Sequence, residues 1–130
     1  MSIAQYRLPI ATLFKILNID NIPHETPVLV EHAIKINSPT GYVTVNAFVK
    51  KHHSVAKFTL VNGIEIVCST QHRVFQNGVP ETIINCKSID TVAGPVILDG
   101  IEFIGNSDVY DVSLDYPHKY ITPNGIIISK

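Results

Sequence analysis

The stretch Phe58-Thr59-Leu60-Val61-Asn62-Gly63-Ile64-Glu65-Ile66-Val67 decides the fold class. Two runs of aliphatic, aromatic and β-branched residues flank an Asn-Gly pair, and both residues of that pair tolerate the positive φ that tight hairpin turns require. Residues 58–61 are therefore expected to face 64–67 across two turn residues. Working outward, the same grammar recurs at Asn77-Gly78, Asp99-Gly100 and Asn124-Gly125, with Val96-Ile97-Leu98 expected to face Ile101-Glu102-Phe103-Ile104 around the third pair. Further strands are expected over 28–36, 42–49, 109–114 and 126–129, which are rich in Val, Ile, Thr and Tyr and mostly alternate in polarity.

One stretch breaks this rhythm. Pro9 is followed by Ile10, Leu13, Phe14, Ile16 and Leu17 at helical spacing, which predicts a short helix from Pro9 to about Asn18. Before it, residues 3–8 read as a strand with nothing upstream to pair. The prolines at 23, 27, 39, 80, 95, 117 and 123 fall at expected strand ends or loops. The pattern predicts one all-β domain of many short strands, a sandwich or a complex barrel.

Composition agrees. A 130-residue chain with a hydrophobic fraction of 45% can bury a core without disulfides or metals, and charged residues at 16% are too sparse for a disordered chain. The net charge of −1 offers no global field for nucleic acid. The run Lys50-Lys51-His52-His53 reads as a solvated strand end or turn. Cys68 and Cys86 are too few for a disulfide framework and read as reduced, packed thiols. No apolar run is long enough to span a membrane and no signal peptide is visible, so a cytoplasmic setting is expected.

Chemistry-bearing residues are few. Among six histidines, two cysteines and scattered acids there is no carboxylate pair, phosphate-cradling loop, nucleophile elbow or metal-ligand spacing. Two histidines sit in patterned contexts. In Cys68-Ser69-Thr70-Gln71-His72 a strand ends in a turn with a hydroxyl three positions before the imidazole. In Val109-Tyr110-Asp111 through Pro117-His118-Lys119-Tyr120 to Asn124-Gly125-Ile126, an acid-bearing strand precedes a histidine and a turn into a terminal apolar strand. Taken singly, His72 and Ser69 would be turn residues, Asp111 a solvent-facing strand residue and His118 a loop histidine. Ser113, Lys119 and Tyr120 read as structural, and His52 and His53 as surface.

Together and in this order, the segments resemble inteins. The first is similar to the intein motif Cys-Ser-x-x-His, the second to the paired carboxy-terminal intein motifs, and Ile36-Asn37-Ser38-Pro39-Thr40-Gly41-Tyr42 to a strand turn common in these domains. The resemblance runs from about Tyr6 to Ile128 and leaves no room for an inserted endonuclease domain. It implies an all-β, horseshoe-like Hint fold with one short helix, spanning 1–130 as a single domain. It also implies protein splicing, a single-turnover rearrangement of the domain's own flanking peptide bonds.

An amide is resonance-stabilised and its amine leaves poorly, so such domains first move the acyl group onto a neighbouring thiol or hydroxyl. By resemblance His72 delivers the proton, Ser69 orients the amide, Asp111 tunes the nucleophile and His118 assists a final cyclisation of a terminal asparagine. No cofactor or metal is implied.

The chain departs from the family pattern in two places. It begins Met1-Ser2, without the first strand and its Cys or Ser nucleophile. The expectation is the carboxy-terminal fragment of a split, phage-type intein, whose partner is a short amino-terminal fragment and whose substrates are the flanking segments. At the other end, alignment on Asn124-Gly125 puts Ser129 at the penultimate histidine and Lys130 at the asparagine, and lysine cannot cyclise; the expectation is a carboxy-terminal cleavage site inactivated by engineering or truncation, a degenerate domain, or one that performs only the amino-terminal acyl shift. Two rivals remain: a non-catalytic β-sandwich binding or phage structural module, and a cleavage-only autoprocessing domain of the Hedgehog kind.

Overall fold

The computed structural model of the chain describes residues 10–29 and 34–130. The expected strand over 3–8 lies outside them. Helix α1 spans Ile10–Ile16, inside the expected span, of which Pro9 lies outside the described residues. It buries Leu13 and Phe14, and the Phe14 ring meets Phe48 edge-on at 5.3 Å and Tyr110 at 4.8 Å. It stops where Asn18 turns left-handed at φ 57° and Ile19 N–H returns to the Phe14 carbonyl, a left-handed cap that satisfies an end carbonyl.

Among the described residues nine strands follow: β1 (Lys35–Ser38), β2 (Gly41–Leu60), β3 (Glu65–Ser69), β4 (Arg73–Gln76), β5 (Val79–Thr82), β6 (Ser88–Thr91), β7 (Gly94–Leu114), β8 (Lys119–Ile121) and β9 (Ile127–Ser129). One sheet has the order β1-β2-β7-β6, with β3 added to β2, and the other the order β5-β4-β9-β8. The spine of the first sheet is the antiparallel ladder of β2 and β7, which runs from Val45↔Leu114 to Leu60↔Leu98. Phe14, Phe48, Phe58, Leu60, Val74, Ile89, Ile126 and Ile128 join one buried cluster drawn from both sheets. Full burial of such a side chain stabilises by about 1.5–3 kcal/mol. No helix among the described residues is long and apolar enough to cross a membrane.

The turns divide into those that behave as expected and those that do not. Asn77 (φ 51°) and Gly78 (φ 80°) close β4 onto β5 with Gln76 opposite Val79, the two-residue hairpin expected of Asn-Gly. Ser38-Pro39-Thr40-Gly41 joins β1 to β2, with the Ser38 hydroxyl donating to the Gly41 carbonyl at 2.5 Å. Thr91-Val92-Ala93-Gly94 repeats that device between β6 and β7, Thr91 Oγ1 donating to the Gly94 carbonyl at 2.7 Å; the sequence reading missed this turn.

Four expectations need correction. The hairpin around Asn62-Gly63 forms one residue out of register: Thr59 pairs with Glu65 and Phe58 with Ile66, across a three-residue loop that ends at Gly63, φ 89°. A one-residue slip exchanges faces, and this register keeps Phe58 and Leu60 in the core while Val67 faces solvent. Around Asp99-Gly100 there is no hairpin at all. The chain runs straight through, because β2 supplies partners across that stretch, with Thr59 opposite Gly100 and Leu60 opposite Leu98. Lys50-Lys51-His52-His53 is neither strand end nor turn but the interior of β2, paired with residues 107–110 of β7. Finally, the strand expected over 28–36 is a bridge of Val28 to Phe48 and then β1 from Lys35, with 30–33 outside the described residues.

Candidate functional site

A cleft of ≈ 1060 Å³ opens between the β2–β3–β7 surface and the second sheet. Its lining includes Ser69, His72, Asp111, Asn124, Ser129 and Lys130. Residues far apart in sequence thus meet around one space.

His72 is delivered by the tight turn between β3 and β4. Its N–H donates to the Ser69 carbonyl at 3.0 Å, and its own carbonyl accepts from Ile83 N–H at 2.7 Å. The Ser69 side chain, buried, accepts the Gln71 amide at 3.1 Å. That bond shapes the turn and leaves the hydroxyl proton for another acceptor. Burial pushes the His72 imidazole down to about 4, helped by the positive charges of Lys130 and Lys51 and opposed by the Asp111 carboxylate. The ring is therefore neutral near pH 7.

Asp111 stands on β7. Burial alone would raise its carboxyl, yet the Lys130 ammonium and its hydrogen bond, the charge at His72 and the Val112 N–H together hold it below the usual carboxylate range. The Lys130 ammonium donates to Oδ1, which also accepts Val112 N–H at 2.9 Å, while Lys51 lies 3.9 Å from Oδ2. Burial raises Cys68 to about 12, and burial followed by the Asp111 charge raises the Tyr120 phenol. Both groups line the cleft and stay protonated at neutral pH.

The carboxy-terminal residues are tied in by backbone. Lys130 N–H donates to the His118 carbonyl at 2.7 Å, and Ser129 pairs with Lys119. Asn124 Nδ2 donates to the Glu65 carbonyl at 2.7 Å, joining the β8–β9 turn to the start of β3. At Gly125 the backbone has φ 91°, a conformation L side chains rarely adopt, and a Cβ there would crowd Val92 Cγ2 at 3.1 Å. Of the expected site residues, Ser69, His72, Asp111, Asn124, Ser129 and Lys130 share the cleft. The His118 ring does not line it: Nδ1 donates to the Leu114 carbonyl at 2.8 Å, on a backbone with φ 61°. The sequence reading missed Lys51, His53 and Tyr120 as cleft residues, because nothing in a strand's alternation marks which inward-facing residue meets a void rather than a neighbour.

The sequence matches no family model. No curated protein is significantly similar to it. Solved structures are similar: the VidaL intein (TM-score 0.71, 21% identity, 91% of this chain and 78% of that one), the gp41-1 intein (0.69, 21%, 78% and 83%), and a consensus engineered intein with an atypical split site (0.61, 17%, 81% and 89%). At these identities the likeness is one of backbone and topology, and on that ground the chain has the Hint fold of the inteins.

Proposed function

We propose that the chain is a protein-splicing domain working as the larger, carboxy-terminal piece of a split intein, completed by a short amino-terminal segment with a leading Cys or Ser. The observation that carries this reading is the convergence of His72, Ser69, Asp111 and the Ser129-Lys130 segment on one cleft. A neutral, buried imidazole accepts the proton of an incoming thiol or hydroxyl. The imidazolium so formed is a much stronger acid than free imidazolium, and it readily passes that proton to the amide nitrogen as the C–N bond breaks and the acyl group moves onto sulfur or oxygen. The Ser69 hydroxyl proton is available to the scissile carbonyl.

The ribbon offers the segment a place. Residues 101–108 of β7 are exposed, including Phe103 (68%) and Ile104 (57%), and beyond Leu98 β7 pairs only with β2 among the described residues. A strand with an open edge and uncovered apolar residues is suited to strand addition. Lys130, at the position that aligns with the cyclising asparagine, carries no amide to cyclise, and its ammonium is engaged by Asp111. That favours a second reading in which only the amino-terminal acyl shift occurs.

The test mixes the chain with a peptide of a reporter, a Cys and a following extended strand, then adds thiol. Thiol-dependent reporter release that disappears in His72→Ala is expected. Release equal in wild type and His72→Ala, or none in either, removes the proposal. Ser129→His with Lys130→Asn and a following Ser or Cys is expected to add ligated product; its absence alongside intact thiol-dependent release leaves the acyl-shift reading standing alone.

A further inference from the structure

Away from the cleft floor, three side chains from separate parts of the chain meet at the surface. His24 lies in the segment after α1, which is held to β2 by a parallel bridge to Lys50 and by Glu25 N–H donating to the Lys50 carbonyl at 2.8 Å. His52 is on β2, and Asp108 is its cross-strand partner on β7. Both rings point at one oxygen: His24 Nε2 is 2.8 Å and His52 Nδ1 3.1 Å from Asp108 Oδ1. One ligand atom from each residue lies within 4.8 Å of the other two.

Those distances are close to what a metal needs. Ligand atoms about 2 Å from a tetrahedral zinc ion lie about 3.3 Å from one another. The two nitrogen-to-oxygen edges, 2.8 Å and 3.1 Å, lie within about half an ångström of that value. The nitrogen-to-nitrogen edge can close by ring rotation, because the side chains of His24 and His52 are 48% and 56% exposed. Two imidazoles and a carboxylate are donors that zinc and its neighbours in the first transition row favour, and the open side leaves room for water as a further ligand. The Lys50 ammonium lies 3.6 Å from Asp108 Oδ2, the carboxylate oxygen that the rings do not contact, and donates to the Asp20 carbonyl at 3.1 Å. It orients the carboxylate with Oδ1 toward the histidines.

We propose that His24, His52 and Asp108 form a surface site for a divalent transition-metal ion of zinc type, which clips the segment carrying His24 onto the β2–β7 ribbon. The proposal is independent of the splicing reading. Sequence spacing hid it, since the three ligands come from a loop and two different strands.

Calorimetric titration of the chelator-treated chain with zinc tests it. One ion per chain is expected, with a raised unfolding midpoint. His24→Gln, His52→Gln and Asp108→Asn should each weaken binding roughly tenfold or more, since even the outer partners of metal ligands are worth that much. All three side chains are solvent-exposed, so each variant should keep the wild-type fold, with circular dichroism as the check. Cobalt in place of zinc should give a spectrum without the thiolate charge-transfer band that Cys68 or Cys86 would add. Binding that survives all three substitutions, a thiolate band lost in Cys68→Ser, or no binding to the wild type each overturns the site.

Discussion

His72 concentrates the physics of this protein in one side chain. Its folded value of about 4 lies below the unfolded 6.5, so between those two pH values the unfolded chain takes up a proton that the native ring refuses. Stability is therefore unaffected by this group above pH 6.5 and falls as pH drops, by about 3 kcal/mol near pH 4. The depressed Asp111 carboxyl works in the same direction at lower pH, since protonating it forfeits its Lys130 partner. Urea unfolding from pH 7 to pH 4 should show this slope, and His72→Gln should flatten it; an equal slope in the variant would disprove the buried neutral imidazole. Lys130 is one of the charges that depress His72, so Lys130→Gln should raise the imidazole value above about 4 in an NMR titration. No movement there would mean that the ammonium and the ring do not sense each other.

The decisive element is the β2–β7 ladder. It persists through irregularities, one of which sets Val55 opposite Gly105 and Ala56 opposite Phe103, leaving Ile104 as the extra residue. Gly105 has φ 123°, a conformation L side chains rarely adopt, and a Cβ there would meet nothing within 4 Å. Gly105→Ala should therefore cost roughly 1–3 kcal/mol through backbone strain alone, measured as a lower urea midpoint. An unchanged midpoint would show that the bulge relaxes freely. In the small hairpin at Asn77-Gly78, the Asp90 carboxylate accepts both turn amides, Asn77 N–H at 3.0 Å and Gly78 N–H at 2.7 Å. This cap from β6 ties the second sheet to the first.

For the whole molecule, the exposed stretch of β7 is the feature that a completing segment would change. Phe103→Asp should leave the midpoint of the isolated chain nearly unaltered, because the side chain is already 68% exposed. The same variant should weaken binding of the reporter peptide about tenfold or more, as removal of a buried aromatic anchor from an interface does. Equal affinity in a fluorescence titration would place the docking strand elsewhere.

The sequence alone carried the fold class, the helix, the Asn77-Gly78, Ser38–Gly41 and Asn124-Gly125 turns, and the motif residues now found together in the cleft. These were legible because alternation, turn chemistry and motif spacing are local properties. Tertiary structure decided the rest. It moved the Asn62-Gly63 hairpin by one residue to keep Phe58 buried, and it drew Asp99-Gly100 straight against β2. It also turned the His118 ring to the Leu114 carbonyl and brought Lys51, Tyr120 and the His24–His52–Asp108 cluster into place. A backbone hydrogen bond or a buried ring goes to whichever partner the long-range pairing provides, and no local pattern in one strand names the strand that will lie beside it.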